Sequence, residues 1–180
     1  MIYVVGVLVL LALYVVLLYN RLVVFRNRID NAWSQIDVQL RRRYDLIPNL
    51  VETVKGYATH EREVFERVTE ARSRAIAAGS VGEQGQAENM LTQALRSVFA
   101  VAENYPQLRA SENFMQLQEE LSGTESKIAF SRQFYNDTVL RYSNARQAFP
   151  AVLLAGPLGF GPRDYFEMED VAREPVKVAF

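Results

Sequence analysis

An apolar run without a charged residue, Ile2–Tyr19, constrains this chain more than any other part of its sequence. Crossing the roughly 30 Å hydrocarbon core of a bilayer takes about 20 apolar residues at about 1.5 Å each. Residues 22–25 add one more apolar turn if Arg21 snorkels to the headgroups. A cleaved signal peptide would need a basic beginning and a small-residue cleavage site, and neither is present. Residues 1–25 are therefore predicted to form a transmembrane anchor.

Positive charge follows this run and does not precede it. Six arginines lie between positions 21 and 43: Arg21, Arg26, Arg28, Arg41, Arg42 and Arg43. The positive-inside rule then places the N-terminus outside and the rest of the protein in the cytoplasm, and the absence of cysteine agrees with a reducing compartment. The net charge of -1 argues against a nucleic-acid partner, which would require a basic surface.

The residues after the anchor show helical periodicity, with apolar side chains at three- and four-residue steps. The first stripe consists of Leu22, Phe25, Ile29, Trp33, Ile36 and Leu40. Asp45 is predicted to cap a second helix, with Pro48 in its first turn, and its stripe includes Ile47, Val51, Val54, Phe65, Val68 and Ala75. Residues 79–85 are rich in glycine and predict a linker.

Two further helices complete the pattern. The third carries Met90, Leu91, Leu95, Val98 and Phe99 and ends at Asn104-Tyr105-Pro106. The fourth begins after a Ser111 cap and runs to Phe149, with one heptad position occupied by Phe114, Leu121, Ile128, Tyr135, Tyr142 and Phe149. We expect an all-α fold: a transmembrane helix continuing into an antiparallel bundle of about four long helices over residues 20–150, then an irregular apolar and acidic tail over 151–180. The expected core includes Trp33, Ile36, Leu40, Val51, Val54, Leu121, Ile128, Tyr135 and Tyr142.

The sequence offers few of the residues that catalysis and metal binding use. Without cysteine and with His60 as the single histidine, thiol catalysis, thiolate metal sites and the usual serine–histidine triads are excluded or improbable. His60 has Glu61 and Glu63 nearby, but a zinc site needs three or four converging ligands, so a solvated histidine is favoured. We predict no catalytic residues, no metal site and no cofactor.

Several motifs together resemble the LemA family. They are Arg26-Asn27, the block from Ala32 to Leu40, Arg42-Arg43, the block from Asp45 to Ala58, His60-Glu61, Ala102-Glu103-Asn104-Tyr105-Pro106, Leu117-Gln118, Glu120-Leu121, Thr124-Glu125, Tyr135-Asn136 and Phe149-Pro150. The resemblance covers nearly the whole chain. It implies a single-pass protein of the bacterial inner membrane with a short outer N-terminus and a cytoplasmic helical bundle. Some relatives are associated with magnetosome membranes, which implies a part in membrane organisation. The family supplies no catalytic residues to carry over.

Three classes of function remain at this point. The first is a membrane-anchored scaffold that self-associates, for which the polar residues Gln35, Gln39 and Asn49 are candidate lateral contacts. The second is an adaptor that presents the bundle to another membrane protein. The third is an enzyme, which the missing catalytic constellation disfavours. The expected partners are the lipid bilayer and further copies of the same chain.

The order of charges predicts how the chain is threaded. If successive helices alternate in direction, Arg132, Arg141 and Arg146 lie towards the membrane, whereas Arg41–Arg43 lie at the far end with Glu112, Glu119 and Glu120. The apolar segment 151–160 is too short to span a bilayer. One expectation is that this segment lies at the bilayer interface or packs against the base of helix one. The alternative is that it caps the apolar end of the bundle. A label at Leu154 should lie near the membrane and one at Arg43 about 30 Å or more away.

Overall fold

The computed structural model describes residues 1–167. These residues form six α-helices. These are α1 (Ile2–Lys55), α2 (Arg62–Ala77), α3 (Val81–Glu103), α4 (Pro106–Arg109), α5 (Glu112–Gln147) and α6 (Ala151–Ala155). No strand occurs within the described range, and the predicted all-α class is confirmed. The final part of the predicted tail, 168–180, lies outside the described residues. The predicted division into anchor, bundle and tail stays a prediction.

The predicted helix boundary at Asp45 is wrong, because α1 continues through Pro48 to Lys55. A proline inside a helix removes the hydrogen bond to the carbonyl four residues earlier, which here is that of Tyr44. The Arg72 side chain, from α2, donates its Nε–H to this carbonyl at 2.8 Å. The replacement donor satisfies the buried acceptor, so the backbone passes the proline as a helix.

The predicted linker at 79–85 is also wrong, because α3 begins within it at Val81. Ser80 and Glu83 form a capping box: the Ser80 hydroxyl accepts the Glu83 N–H, and the Glu83 carboxylate accepts the Ser80 N–H. Gly85 has a separate reason to be glycine. A Cβ there would lie 2.3 Å from the carbonyl oxygen of Glu167, so the end of the described chain can cross α3 only where there is no side chain.

The described chain divides into two compact units, and α1 and α5 contribute residues to both. The first unit contains Met1–Leu40 and Ser126–Tyr165. Its core comes from α1, α5 and the residues that follow α5: Leu22, Ile29, Ala32, Ile36, Leu40, Ile128, Tyr135, Val139, Tyr142, Ala151, Ala155 and Phe160. Trp33 of α1 contacts Tyr135 of α5 with ring centroids 5.5 Å apart.

The second unit contains Arg41–Glu125 and, at the end of the described chain, Phe166 and Glu167. Its α2 and α3 are joined by the three residues 78–80, as in an antiparallel helix pair. Its core consists of Ile47, Leu50, Val54, Val68, Leu91, Val98, Leu108, Phe114, Leu121 and Phe166, all nearly or fully buried. The short α4 follows the predicted break at Asn104–Pro106, and α5 starts directly after Ser111 as expected.

Candidate functional site

The apolar run at the beginning of α1 contacts little of the described chain. Residues 2–14 are all exposed, and the first buried side chain is that of Leu18. By length and composition, α1 is able to cross a membrane. A continuous apolar surface of this size is costly in water, because it leaves a helix hydrophobic on every face without a protein partner. The exposed run therefore points to a membrane-associated protein.

The three predicted interaction residues lie in different environments along α1. Gln35 and Asn49 are exposed. Gln39 is partly buried, and its Oε1 atom is buried without a hydrogen-bond partner among the described residues. Gln35 and Gln39 are about one helical turn apart, whereas Asn49 lies almost four turns beyond Gln35 along α1. A single contact surface on the first unit can thus include Gln35, but Asn49 belongs to another stretch of the helix.

The first unit also carries exposed apolar side chains. Val38, less than one turn from Gln35, is 60% exposed. On α5, Phe130 is 74% and Phe134 is 54% exposed, one turn apart. Isolated exposed apolar residues are ordinary on protein surfaces, but a pair of exposed phenylalanines on one helical face is a feature of contact surfaces.

The residues predicted for the core are buried with one exception. Ile36, Leu40, Val51, Val54, Leu121, Ile128, Tyr135 and Tyr142 are all buried. Trp33 is only partly buried, so its expected place at the centre of the bundle is corrected to the edge of the first unit. The reason is helical geometry: the buried face of α1 runs through Ile29, Ala32 and Ile36, and Trp33 lies beside that face, where its ring contacts Tyr135 edge to face.

A buried polar cluster in the second unit was not predicted. Arg43 is buried, and its guanidinium donates a 2.6 Å hydrogen bond to Thr92 Oγ1. One guanidinium nitrogen lies 3.5 Å from the Glu88 carboxylate and 3.0 Å from that of Glu125. Glu88 is fully buried, whereas the Glu125 side chain is almost half exposed. The sequence predicted that Arg41–Arg43 would lie near Glu112, Glu119 and Glu120. Arg42 lies 3.7 Å from Glu120, as expected, whereas the carboxylate partners of Arg43 are Glu88 and Glu125.

The tyrosine next to Arg43 extends the cluster. The Tyr44 hydroxyl donates to Glu88 Oε1. The Gln84 amide nitrogen is within hydrogen-bond distance of three acceptors: the Tyr44 hydroxyl at 2.9 Å, Glu88 Oε1 at 2.9 Å and the Ala75 carbonyl at 3.0 Å. The Tyr44 and Gln84 side chains therefore meet at Glu88, and Gln84 also binds a backbone carbonyl of α2, so the cluster ties α1, α2 and α3 together.

Burial has the largest influence on the pKa values of Glu88 and Tyr44 in this cluster. It raises the pKa of Glu88, and the positive charge of Arg43 opposes this shift. Burial also raises the pKa of Tyr44, and the Glu88 charge acts in the same direction, so Tyr44 remains a neutral donor. The contacts of these polar groups run between side chains of neighbouring helices, while Nε and one terminal nitrogen of Arg43 and Oε2 of Glu88 are buried without a hydrogen-bond partner among the described residues. This arrangement is suited to holding helices in register, as buried polar groups do in some helical proteins.

A sequence signal for this cluster existed. Arg43 continues the buried stripe of Ile36 and Leu40 and precedes Ile47, so a charged residue occupies a core position. In α3, Gln84 and Glu88 continue the stripe of Leu91 and Leu95 in the same way. The stripe in α3 was missed because the prediction of a glycine-rich linker at 79–85 excluded Gln84 from a helix.

Other surfaces offer little for chemistry within the described residues. No group of three histidine, cysteine, aspartate or glutamate side chains in residues 1–167 is arranged to hold a metal ion. His60 is exposed. A shallow open groove between α2 and α3 is lined by residues of mixed polarity: Arg67, Glu70, Ala71, Arg74, Met90, Gln93, Ala94 and Ser97.

Comparison with known proteins finds relatives over most of the chain. The sequence model of the LemA family matches residues 32–180. The magnetosome protein MamQ of Magnetospirillum gryphiswaldense is 24% identical over 184 residues, covering 88% of this chain and 68% of the relative. The protein LemA of Metamycoplasma hominis is 26% identical over 161 residues, covering 87% of this chain and 72% of the relative.

Proposed function

The chain belongs to the LemA family, and from this premise we propose that it is a membrane-anchored, non-enzymatic protein that scaffolds or organises a membrane by self-association. The exposed apolar run of α1 carries the anchoring part of the proposal. The magnetosome proteins among its relatives support a role at a membrane. The buried polar cluster joins side chains of α1, α3 and α5 to one another, which supports a structural role for the helices over a catalytic one.

Self-association is supported by the exposed apolar side chains beyond the anchor. Val38 lies on the α1 face that also carries Gln35, and Phe130 and Phe134 form an exposed pair on α5. Contacts between copies of a chain commonly use aromatic and aliphatic residues of this kind at the centre and polar residues at the rim. Tethering by α1 confines all copies to one plane, which raises their effective concentration.

The proposed location is the bacterial inner membrane, with the N-terminus outside and the helical units in the cytoplasm. The arginines after the apolar run support it through the positive-inside rule. Cysteine substituted for exposed Gln118, in a chain that has no other cysteine, should be protected from a membrane-impermeant thiol reagent in intact cells and react after lysis. Full labelling before lysis would reverse the orientation.

The size of the full chain in mild detergent tests self-association. Light scattering coupled to size exclusion should give a discrete oligomer larger than one chain. Val38→Glu and Phe130→Glu should each reduce its size while the helical circular dichroism signal stays unchanged, because a charge in an apolar contact loses its solvation. Ile76→Glu is the matched control, since Ile76 is an exposed apolar residue of α2.

Two outcomes would contradict the proposal. A monomer under all detergent conditions would replace the scaffold with an adaptor that presents its helices to another membrane protein. An equal loss of size in all three variants, the Ile76→Glu control included, would show that the oligomer depends on general surface polarity and not on the first unit.

A further inference from the structure

The short helix α6 and the residue before Pro150 present apolar side chains in two directions. Ala151, Ala155 and the following Phe160 are buried in the first unit. Phe149 and Leu153 are 81% and 65% exposed, and Val152 is half exposed. These three residues, which we call the α6 patch, lie within five positions of one another, and the described chain leaves at least half of each side chain exposed.

The α6 patch belongs to a segment that packs at the membrane end of α1. The Phe160 ring contacts the Tyr19 ring edge to face, with centroids 5.4 Å apart. Tyr19 is the last residue of the apolar run, and tyrosine prefers the boundary between lipid and water. The segment from α6 to Phe160 is therefore held against α1 at the end of its apolar run.

Positive charge surrounds the same place. The Arg26 guanidinium lies over the Phe160 ring, 5.5 Å from its centroid. The Nε of Arg146, near the end of α5, is buried without a hydrogen-bond partner among the described residues. Arg163 is held by Asp30 at 3.2 Å. Two guanidinium groups, those of Arg26 and Arg146, thus lie near the membrane end of the first unit without a paired carboxylate in the described chain.

Tyr142 shows that these charges converge. Its hydroxyl donates a 2.6 Å hydrogen bond to the Gly161 carbonyl, which fixes the segment after α6 against α5. Burial raises the pKa of Tyr142, and three guanidinium groups oppose that shift. They belong to Arg146, Arg163 and Arg26. Arg146 follows Tyr142 by one turn of α5, and Arg163 follows Gly161 by two residues, so basic side chains from α5 and from the segment after α6 lie near this hydroxyl.

We propose that the α6 patch is a second membrane contact, which inserts into the leaflet from which α1 emerges, while Arg26 and Arg146 bind the phosphate groups of anionic phospholipids. The inference rests on the membrane anchoring proposed above and adds the lipid class and the residues that meet it. Interfacial helices bind membranes through two contributions. Apolar side chains are buried at the headgroup boundary, and arginines are attracted to anionic lipid. With α1 as the first anchor and the α6 patch as the second, the first unit is held at a fixed depth.

Quenching by brominated lipids tests the depth of the α6 patch. Trp33 is the single tryptophan, so Trp33→Phe gives a background into which Leu153→Trp, Leu10→Trp or Phe130→Trp is placed. The full chain is reconstituted in vesicles of phosphatidylcholine and phosphatidylglycerol. Leu10→Trp should be quenched strongly and Phe130→Trp not at all, whereas Leu153→Trp should lose roughly half of its emission, as expected for a side chain buried about 5–10 Å at the interface.

The controls separate this inference from the proposed function. Quenching at Leu10 without quenching at Leu153 would keep the anchor and overturn the second contact. Absence of quenching at Leu10 would overturn both. Shielding of Leu153→Trp from aqueous iodide without quenching by brominated lipid would show that another copy of the chain covers the patch, which also overturns the lipid assignment.

The arginines are tested by lipid charge. Quenching of Leu153→Trp should rise when phosphatidylglycerol replaces part of the phosphatidylcholine. Arg26→Gln or Arg146→Gln should each weaken the docked state in anionic vesicles by about fivefold, the factor that corresponds to one arginine near an anionic surface. Arg109→Gln, at an exposed arginine of α4 in the second unit, is the control and should change nothing. Equal quenching in neutral and anionic vesicles would refute the phosphate contact.

Discussion

Arg42 and Arg43 are neighbours in sequence and carry the same charge, yet replacing them should have very different effects. The Arg43 side chain is 1% exposed and touches Glu88, Glu125 and Thr92. The Arg42 side chain is 51% exposed, and its carboxylate partner Glu120 lies 3.7 Å away and is itself partly exposed. Methionine at either position keeps an unbranched apolar stem and removes the charge, so the pair isolates the effect of burial.

The expected magnitudes follow from the two environments. Removing one partner of a buried ion pair leaves the other charge without compensation and typically costs about 3–5 kcal/mol. Removing an exposed pair costs about 0–1 kcal/mol. Arg43→Met should therefore lower the free energy of unfolding by about 3–5 kcal/mol. At roughly 2–4 °C per kcal/mol for a chain of this size, the melting temperature should fall by about 6–20 °C. Arg42→Met should leave both quantities nearly unchanged.

Urea unfolding of the full chain in detergent, followed by circular dichroism at neutral pH, measures the difference. A second change supplies a rescue: Arg43→Met combined with Glu88→Gln should recover most of the lost stability, because Gln keeps the hydrogen bonds of the Glu88 side chain and removes the unpaired charge. If Arg43→Met and Arg42→Met lose equal stability, or if the double variant is no better than Arg43→Met, the energetic role assigned to the buried cluster is wrong.

Two further predictions concern Gly85 and Glu88. Gly85→Ala should destabilise the protein by about 1–3 kcal/mol because its Cβ would meet a backbone carbonyl. Gly123→Ala, with open space inside α5, should instead stabilise it by about 0.5–1 kcal/mol. If urea unfolding shows that both variants lose stability, the close crossing at Gly85 is contradicted. Since burial raises the pKa of Glu88, the folded state holds this proton to higher pH than the unfolded chain does. The contribution of the protonated Glu88 side chain to the free energy of unfolding is thus complete below its unfolded pKa of about 4.3. It is lost as pH rises through the folded pKa. Glu88→Gln should become progressively more stable relative to the original chain as pH increases from 4.5 to 8, and the opposite trend in paired unfolding curves would show that the ionised carboxylate is the favoured form.

The sequence by itself determined the features that depend on neighbouring residues. An uncharged apolar run sets where α1 can lie in lipid, since the cost of burying charge there is a property of each residue. Three- and four-residue spacing placed Ile36, Leu40, Ile128 and Tyr142 on buried faces, because helical periodicity is local. The start of α5 directly after Ser111 was equally readable, because the signal lies within the first turn of the helix.

Tertiary structure decided the features that depend on a distant partner. α1 passes Pro48 because Arg72, 28 residues beyond Tyr44, replaces the missing donor to the Tyr44 carbonyl. The buried stripe of α1 puts Arg43 in the core and Arg42 on the surface, but the partners of Arg43, which are Glu88 and Thr92, are supplied by α3. In each case the local rule gives the cost of an unpaired group, and only the fold supplies the partner that offsets it.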